Sequence, residues 1–175
     1  MNRRQVFEQQ VMPHLDAGYN LARWLLRDAQ AADDALQEAS MRAFRYLESL
    51  KGDEVRPWWL GIVRNTCRTY LARLHSGPTL VEFDDEVFAA ELRAPATAEP
   101  AQRLQTKRLQ REVDAAIRAL SSPLREVIVL RELEDLAYAD IARIVDVPVG
   151  TVMSRLSRAR VKLREVLAAH RLDPT

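Results

Sequence analysis

The sequence holds a single cysteine, Cys67, only five glycines, and aromatic residues at 6% of its length. One cysteine cannot close an internal disulfide or build a thiolate metal cluster, which points to a reducing compartment and excludes cysteine-bound zinc. An excess of either charge is also missing: 26 Lys plus Arg stand against 25 Asp plus Glu, for a net charge of +1. With a pI near 7.9, any nucleic-acid site has to be a local patch, not a uniformly basic coat. No run of apolar residues approaches a membrane span, and the densest, Val127 to Leu130, is four long. The start, MNRRQVFEQQ, places Glu and Gln where a secretory signal needs apolar residues. It reads as a first helix, and a soluble, cytoplasmic protein is expected. His14, His75 and His170 are scattered, with no glycine-rich phosphate loop, nucleophile elbow or metal-ligand spacing beside them. Hydrolase or transferase chemistry therefore has no foothold, and neither a metal nor a cofactor is expected.

What the sequence does hold is 175 residues, 47% hydrophobic and 29% charged, enough for one ordinary domain or two small ones. Charge locates the division. Residues 77–100 carry one basic residue against six acidic ones, together with three prolines and no sustained helical period. This segment reads as an acidic linker between residues 1–76 and residues 101–175, two domains joined by a flexible tether.

Helical periods dominate on both sides, and no stretch alternates as a half-buried strand would, so the fold class is all-α. Leu36, Ala39, Ala43, Phe44 and Leu47 fall at offsets 0, 3, 7, 8 and 11, the stripe of a helix opening near Ala29 whose opposite face is acidic and amide. Pro57 suits the first turn of the next helix. There Trp59, Ile62, Val63, Cys67, Tyr70, Leu71 and Leu74 form the clearest amphipathic stripe of the chain. Cys67 on this stripe reads as a small buried hydrophobe and receives no role. Arg64, Asn65 and Arg68 stand on the other side, fit either to contact phosphate or to form a solvated basic face. Trp58 and Trp59 point about 100° apart in a helix, so one of them is expected to be partly exposed.

In the C-terminal half a helix from about Ala101 to Ala119 ends at Ser121-Ser122-Pro123, and a second follows from Leu124 to Glu134. Tyr138 to Val145 then forms a two-turn helix, Asp146-Val147-Pro148 breaks it, and a last helix buries Val149, Val152, Leu156, Ala159 and Leu163. Two short helices meeting across a tight turn, with the small Ala142 between them, make a helix-turn-helix whose second helix enters the major groove. Val147 to Arg164 holds Arg155, Arg158, Arg160, Lys162 and Arg164 and no acidic residue. Opposite the apolar stripe lie Ser154, Ser157 and Arg158, with Thr151, Arg155 and Lys162 flanking. An arginine there can bond guanine bidentately, while flanking cations neutralise phosphates.

The two halves resemble, in order, the second and fourth domains of bacterial sigma factors, in the small extracytoplasmic-function (ECF) group of the sigma-70 family. DALQEASMRAF and PWWLGIVRNTCRTYL carry the likeness in the N-terminal half, and REVIVLRELEDLAYADIARIVDVPVGTVMSRLSRARVKLRE in the C-terminal half. The resemblance implies a non-enzymatic subunit that joins core RNA polymerase, recognises the minus-35 and minus-ten promoter elements and is held inactive by an anti-sigma factor. It implies core-polymerase binding by Asp34, Gln37 and Glu38, which match the positions that dock on the clamp helices of the largest subunit. Arg64, Asn65 and Arg68 match the side facing the minus-ten element, and the loop from Glu48 to Arg56 matches the one that accepts a flipped base. Minus-35 contacts map onto Met153, Ser154, Arg155, Ser157 and Arg158. Met153 replaces the usual Arg or Lys, which implies an altered reading at one position. Thr69 replaces an acidic or amide residue, and Asp146 stands in the turn where many members carry glycine. The competing reading is a stand-alone helix-turn-helix regulator that binds duplex DNA without polymerase.

Overall fold

The structure is a computed structural model that describes residues 2–52, 54–76 and 100–172, with side chains through residue 169. Among these residues it is all helix, without a strand. The linker expected over 77–100 lies outside the described residues except for Pro100, which opens a helix.

The first half is built from α1 (Arg3–Gln10), α2 (Leu15–Leu26), α3 (Ala29–Arg45) and α4 (Val55–His75). Asn2 and Gln5 form a reciprocal capping box at the start of α1. α2 stops at Arg27, whose φ of 60° ends the helix, and the neighbouring Asp28 side chain caps α3 by accepting from Ala31 N at 2.6 Å. α3 turns Ala31, Ala32, Ala35, Ala39 and Ala43 inward. A face of methyl groups lets α2 and α4 approach closely on either side, at little cost in helix propensity. Phe44, expected on the same stripe, is 41% exposed instead. It rotates towards α1, where Phe7 meets it edge-on with ring centroids 5.7 Å apart and the Arg3 guanidinium lies over its ring.

In α4, Trp59, Val63 and Cys67 are fully buried and Trp58 is half-buried, as the angle between adjacent helical residues requires. Burial pushes the Cys67 thiol up to about 12, in keeping with an inert core residue.

The second half contains α5 (Pro100–Ala119), α6 (Ser122–Ile128), a π-helical continuation of α6 (Val129–Leu133), α7 (Tyr138–Val145) and α8 (Val149–Leu172). Residues 124–130 are all buried, so α6 is enclosed on every side. The expected turn after α7 is present: Asp146 adopts φ 56°, a left-handed conformation that Asp tolerates better than most residues. α8 buries Val152, Leu156 and Ala159 completely, but Val149 is 42% exposed. Val149 was expected in the core; as the first helical residue it instead lines an open groove with Val147, Pro148 and Ala142.

The two halves pack against each other. One continuous apolar core runs from Val11 through Trp59 and Val63 to Ile144, Leu156 and Ala159. α4 packs on α7, and α2 packs on α6. Ile144 lies beside Gly61 of α4, where an added Cβ would meet its Cγ1 at 3.8 Å.

Candidate nucleic-acid interface

Three surfaces carry the residues singled out from the sequence. The first is the outer face of α3, pinned from behind by its alanines. Asp34, Gln37 and Glu38 are all exposed there. Gln30 donates to Asp34 Oδ1 at 3.2 Å and Arg42 donates to Glu38 Oε1 at 2.8 Å. The row continues along the helix into Met41, 63% exposed, and then Phe44. Acidic and amide groups thus run into an apolar end, an arrangement in which charge orients a partner and the apolar contact adds area. Met41 went unremarked in the sequence, although its spacing of three and four residues from Glu38 and Gln37 places it on their face.

The second surface is the polar side of α4, and its three residues separate. Asn65 and Arg68 are exposed, whereas Arg64 is only 5% exposed. Neither a phosphate contact nor a solvated face describes Arg64 in this conformation. Its Nε and Nη2 donate to the two carboxylate oxygens of Glu126 at 2.5 and 3.2 Å, and Nη2 also reaches Val145 O at 3.4 Å. Thr69 is turned back on its own helix, donating to Asn65 O at 3.0 Å.

Beside α4, Ser49, Leu50 and Lys51 of the preceding loop and the Trp58 ring border a cavity of about 310 Å³. Trp58 Nε1 donates to Ser49 Oγ at 3.1 Å, which ties the ring to the loop. The opposite wall comes from the other half of the chain, from Asp140, Arg143 and Ile144 of α7.

The third surface is the outer side of α8. Met153, Ser154, Ser157, Arg158 and Lys162 are exposed, and Thr151 and Arg155 half-buried. Ser154 Oγ donates to Thr151 O at 3.0 Å, and Arg158 Nε reaches back to Ser154 O at 3.4 Å. Arg160 points elsewhere and pairs with Glu132 at 2.8 Å, so it stands apart from Arg155, Arg158 and Lys162.

Sequence reasoning missed the polar contacts that join the halves. Besides Arg64 with Glu126, Arg56 pairs with Glu134 at 2.7 Å, and Asn20 donates to the same carboxylate at 3.1 Å. Glu134 is 3% exposed. Burial pushes its carboxyl up from the ordinary value, while Asn20 and Arg56 pull it back. At the rim, Arg143 donates to both oxygens of Glu54 at 2.8 and 3.1 Å, which holds the Glu54 carboxyl below its usual range. The signal available for this closure was the four-residue apolar run of Val127 to Leu130, since a helix apolar on all sides needs cover on all sides.

Comparison with known proteins matches each half to a family model. Residues 11–76 match the family model for sigma-70 region 2, and residues 110–163 match that for sigma-70 region 4. The chain is 34% identical over 146 residues to the RNA polymerase sigma-H factor of Pseudomonas aeruginosa, covering 81% of this chain and 76% of that protein. It is 37% identical over 131 residues to the ECF RNA polymerase sigma-E factor of Escherichia coli, covering 73% and 69%. Among solved structures, the sigma factor RpoE of Bartonella quintana, in complex with the anti-sigma factor NepR, shares the fold at a TM-score of 0.75 and 24% identity, over 93% of this chain and 96% of that one. CnrH, in complex with the cytosolic domain of CnrY, is similar at a TM-score of 0.65 and 25% identity, over 95% and 90%.

Proposed function

The chain belongs to the ECF group of the sigma-70 family, and we propose that it directs core RNA polymerase to promoters as an initiation subunit without catalytic activity of its own. The observation that carries this reading is the occurrence of both regions, in order, on one chain. A stand-alone regulator would have no use for the first. The N-terminal unit, residues 1–76, supplies polymerase docking and the minus-ten contacts; the C-terminal unit, residues 101–175, supplies the minus-35 contacts; residues 77–100 connect them.

In this reading Asp34, Gln37 and Glu38 meet the clamp helices of the largest polymerase subunit, with Met41 extending the contact. Arg64, Asn65 and Arg68 face the minus-ten element, and the cavity beside Trp58 takes a base drawn from the non-template strand. Capture there offsets an unstacking cost of a few kcal/mol. On α8, Ser154, Ser157 and Arg158 read base edges, and Thr151, Arg155 and Lys162 fix the register on phosphates. Met153, with no charge, reads by apolar contact. The protein acts in the cytoplasm, where an anti-sigma factor holds it in reserve, as the complexes of RpoE with NepR and of CnrH with CnrY suggest.

The test is reconstitution with core polymerase. Co-elution on a sizing column and promoter-specific transcription are expected, both weakened by Asp34→Ala or Gln37→Ala. Sequence-specific duplex binding that ignores core polymerase and both substitutions would establish the stand-alone regulator instead.

A further inference from the structure

Two carboxylates of the second half hold two arginines of α4. Along α4 the arginines are Arg56 and then Arg64; along α6 and its continuation the order is reversed, with Glu134 facing Arg56 and Glu126 facing Arg64. The spacing is therefore eight residues on each side, and Leu60 and Leu130, both fully buried, mark the two midpoints. A carboxylate that accepts from Arg64 through both Nε and Nη2 occupies the same planar fork a phosphate would take. The same closure places Asp140, Arg143 and Ile144 across the cavity beside Trp58.

We propose that Glu126 and Glu134 act as built-in surrogates for promoter phosphates, clasping α4 against the second half until DNA takes their place. This rests on the reading of α4 as the minus-ten helix. The choice of residues favours a reversible clasp. Leucines at these positions would seal the halves more firmly than an ion pair that loses most of its attraction to desolvation. Carboxylates instead leave each arginine a second partner of the same chemistry, and the exchange exposes no unpaired cation.

The test uses the full chain with Glu126→Gln and Glu134→Gln, singly and together, and Glu165→Gln as a control for lost charge on exposed α8. Small-angle scattering reads closure: a compact chain of this length has a radius of gyration of about 16 Å, which the double variant is expected to exceed. Anisotropy of a fluorescent single-stranded DNA of mixed sequence reads exchange. Binding is expected to tighten several-fold, with the salt slope steeper by roughly 0.7 for each arginine released, and Glu165→Gln is expected to do neither. An unchanged radius in both single variants and the double overturns the clasp. A larger radius with DNA binding no different from Glu165→Gln overturns the surrogate role, and places the failure in the reading of α4 rather than in the closure. Should Glu126→Gln lose helical circular dichroism, Glu134→Gln, whose partner Arg56 is already 36% exposed, carries both measurements.

Discussion

Gly18 lies directly beneath the indole of Trp59: a Cβ at this position would stand 2.6 Å from Nε1 and 2.8 Å from two ring carbons. The ring has nowhere to go. It is fully buried, and Nε1 donates to His14 O at 2.8 Å. Gly18→Ala is therefore expected to destabilise the protein by about 1–3 kcal/mol, the usual cost of overpacking a close-fitted core. The measurement is a lower urea midpoint at unchanged m-value; a midpoint equal to that of the wild type would mean that the indole can shift.

Arg125 closes the C-terminal end of α5. It is 8% exposed and donates to the carbonyls of Ile117, Arg118 and Leu120 at 3.4, 2.8 and 2.7 Å. Burial, with Arg27 and Arg118 nearby, pushes the guanidinium down to about 10, still well above neutrality. Arg125→Met keeps the stem and strands the carbonyls, so a loss of roughly 3 kcal/mol is expected in chemical denaturation. Arg125→Lys should recover only part of it, because a single ammonium cannot span all three acceptors. Full recovery by Lys would show that charge, not the fork, closes the helix.

Much of this fold was legible because short-range signals dominate it. Pro57, Pro123 and the Asp146 turn each mark a boundary that the structure reproduces, and α3 opens at Ala29 as its apolar stripe predicts. The periods of α4 and α8 correctly placed Trp59, Val63, Cys67, Val152, Leu156 and Ala159 in the core. Phe44 and Val149 escaped because periodicity gives a direction but not the neighbour that fills it. Arg64 escaped for a different reason. A cation on the polar side of an amphipathic helix looks solvent-facing until a carboxylate 62 residues away closes over it, and no local pattern carries that pairing. The residues of α3 and α8 expected to meet partners do lie at the surface, since their own helices determine their exposure.

Asp114 sits in α5, 4% exposed, with Oδ1 accepting from Gln110 at 2.8 Å and Oδ2 buried without a hydrogen bond. Burial pushes its carboxyl above the ordinary value of 3.8, more than Gln110 and Arg118 pull it down. The folded protein then binds the proton more tightly than the unfolded chain. Its contribution is fully present below the unfolded value and is lost as pH rises through the folded one. Asp114→Asn removes that dependence. The stability of Asp114→Asn relative to wild type is expected to rise as pH is raised from about 4 towards 7, measured by urea denaturation. A difference that stays flat across the range would show the carboxyl ionising as freely in the fold as outside it.

If the outer face of α8 divides base reading from phosphate contact as proposed, salt dependence resolves the two. Arg158 lies on the side opposite the buried Val152, Leu156 and Ala159, while Lys162 flanks it one turn further on. If Arg158 bonds a base pair, Arg158→Ala removes about 1–3 kcal/mol of discrimination at one promoter position and leaves binding to unrelated DNA nearly as it was. Lys162→Ala should act the other way: weaker binding to every sequence, equal promoter selectivity, and a salt slope shallower by about 1 because one fewer counterion is released. Both effects are read from holoenzyme binding to promoter variants over a salt series. Arg158→Ala with selectivity intact would move base reading to Ser154 and Ser157. The same shallow slope for both variants would make the face an electrostatic footprint, with sequence read through the shape of the duplex rather than its base edges.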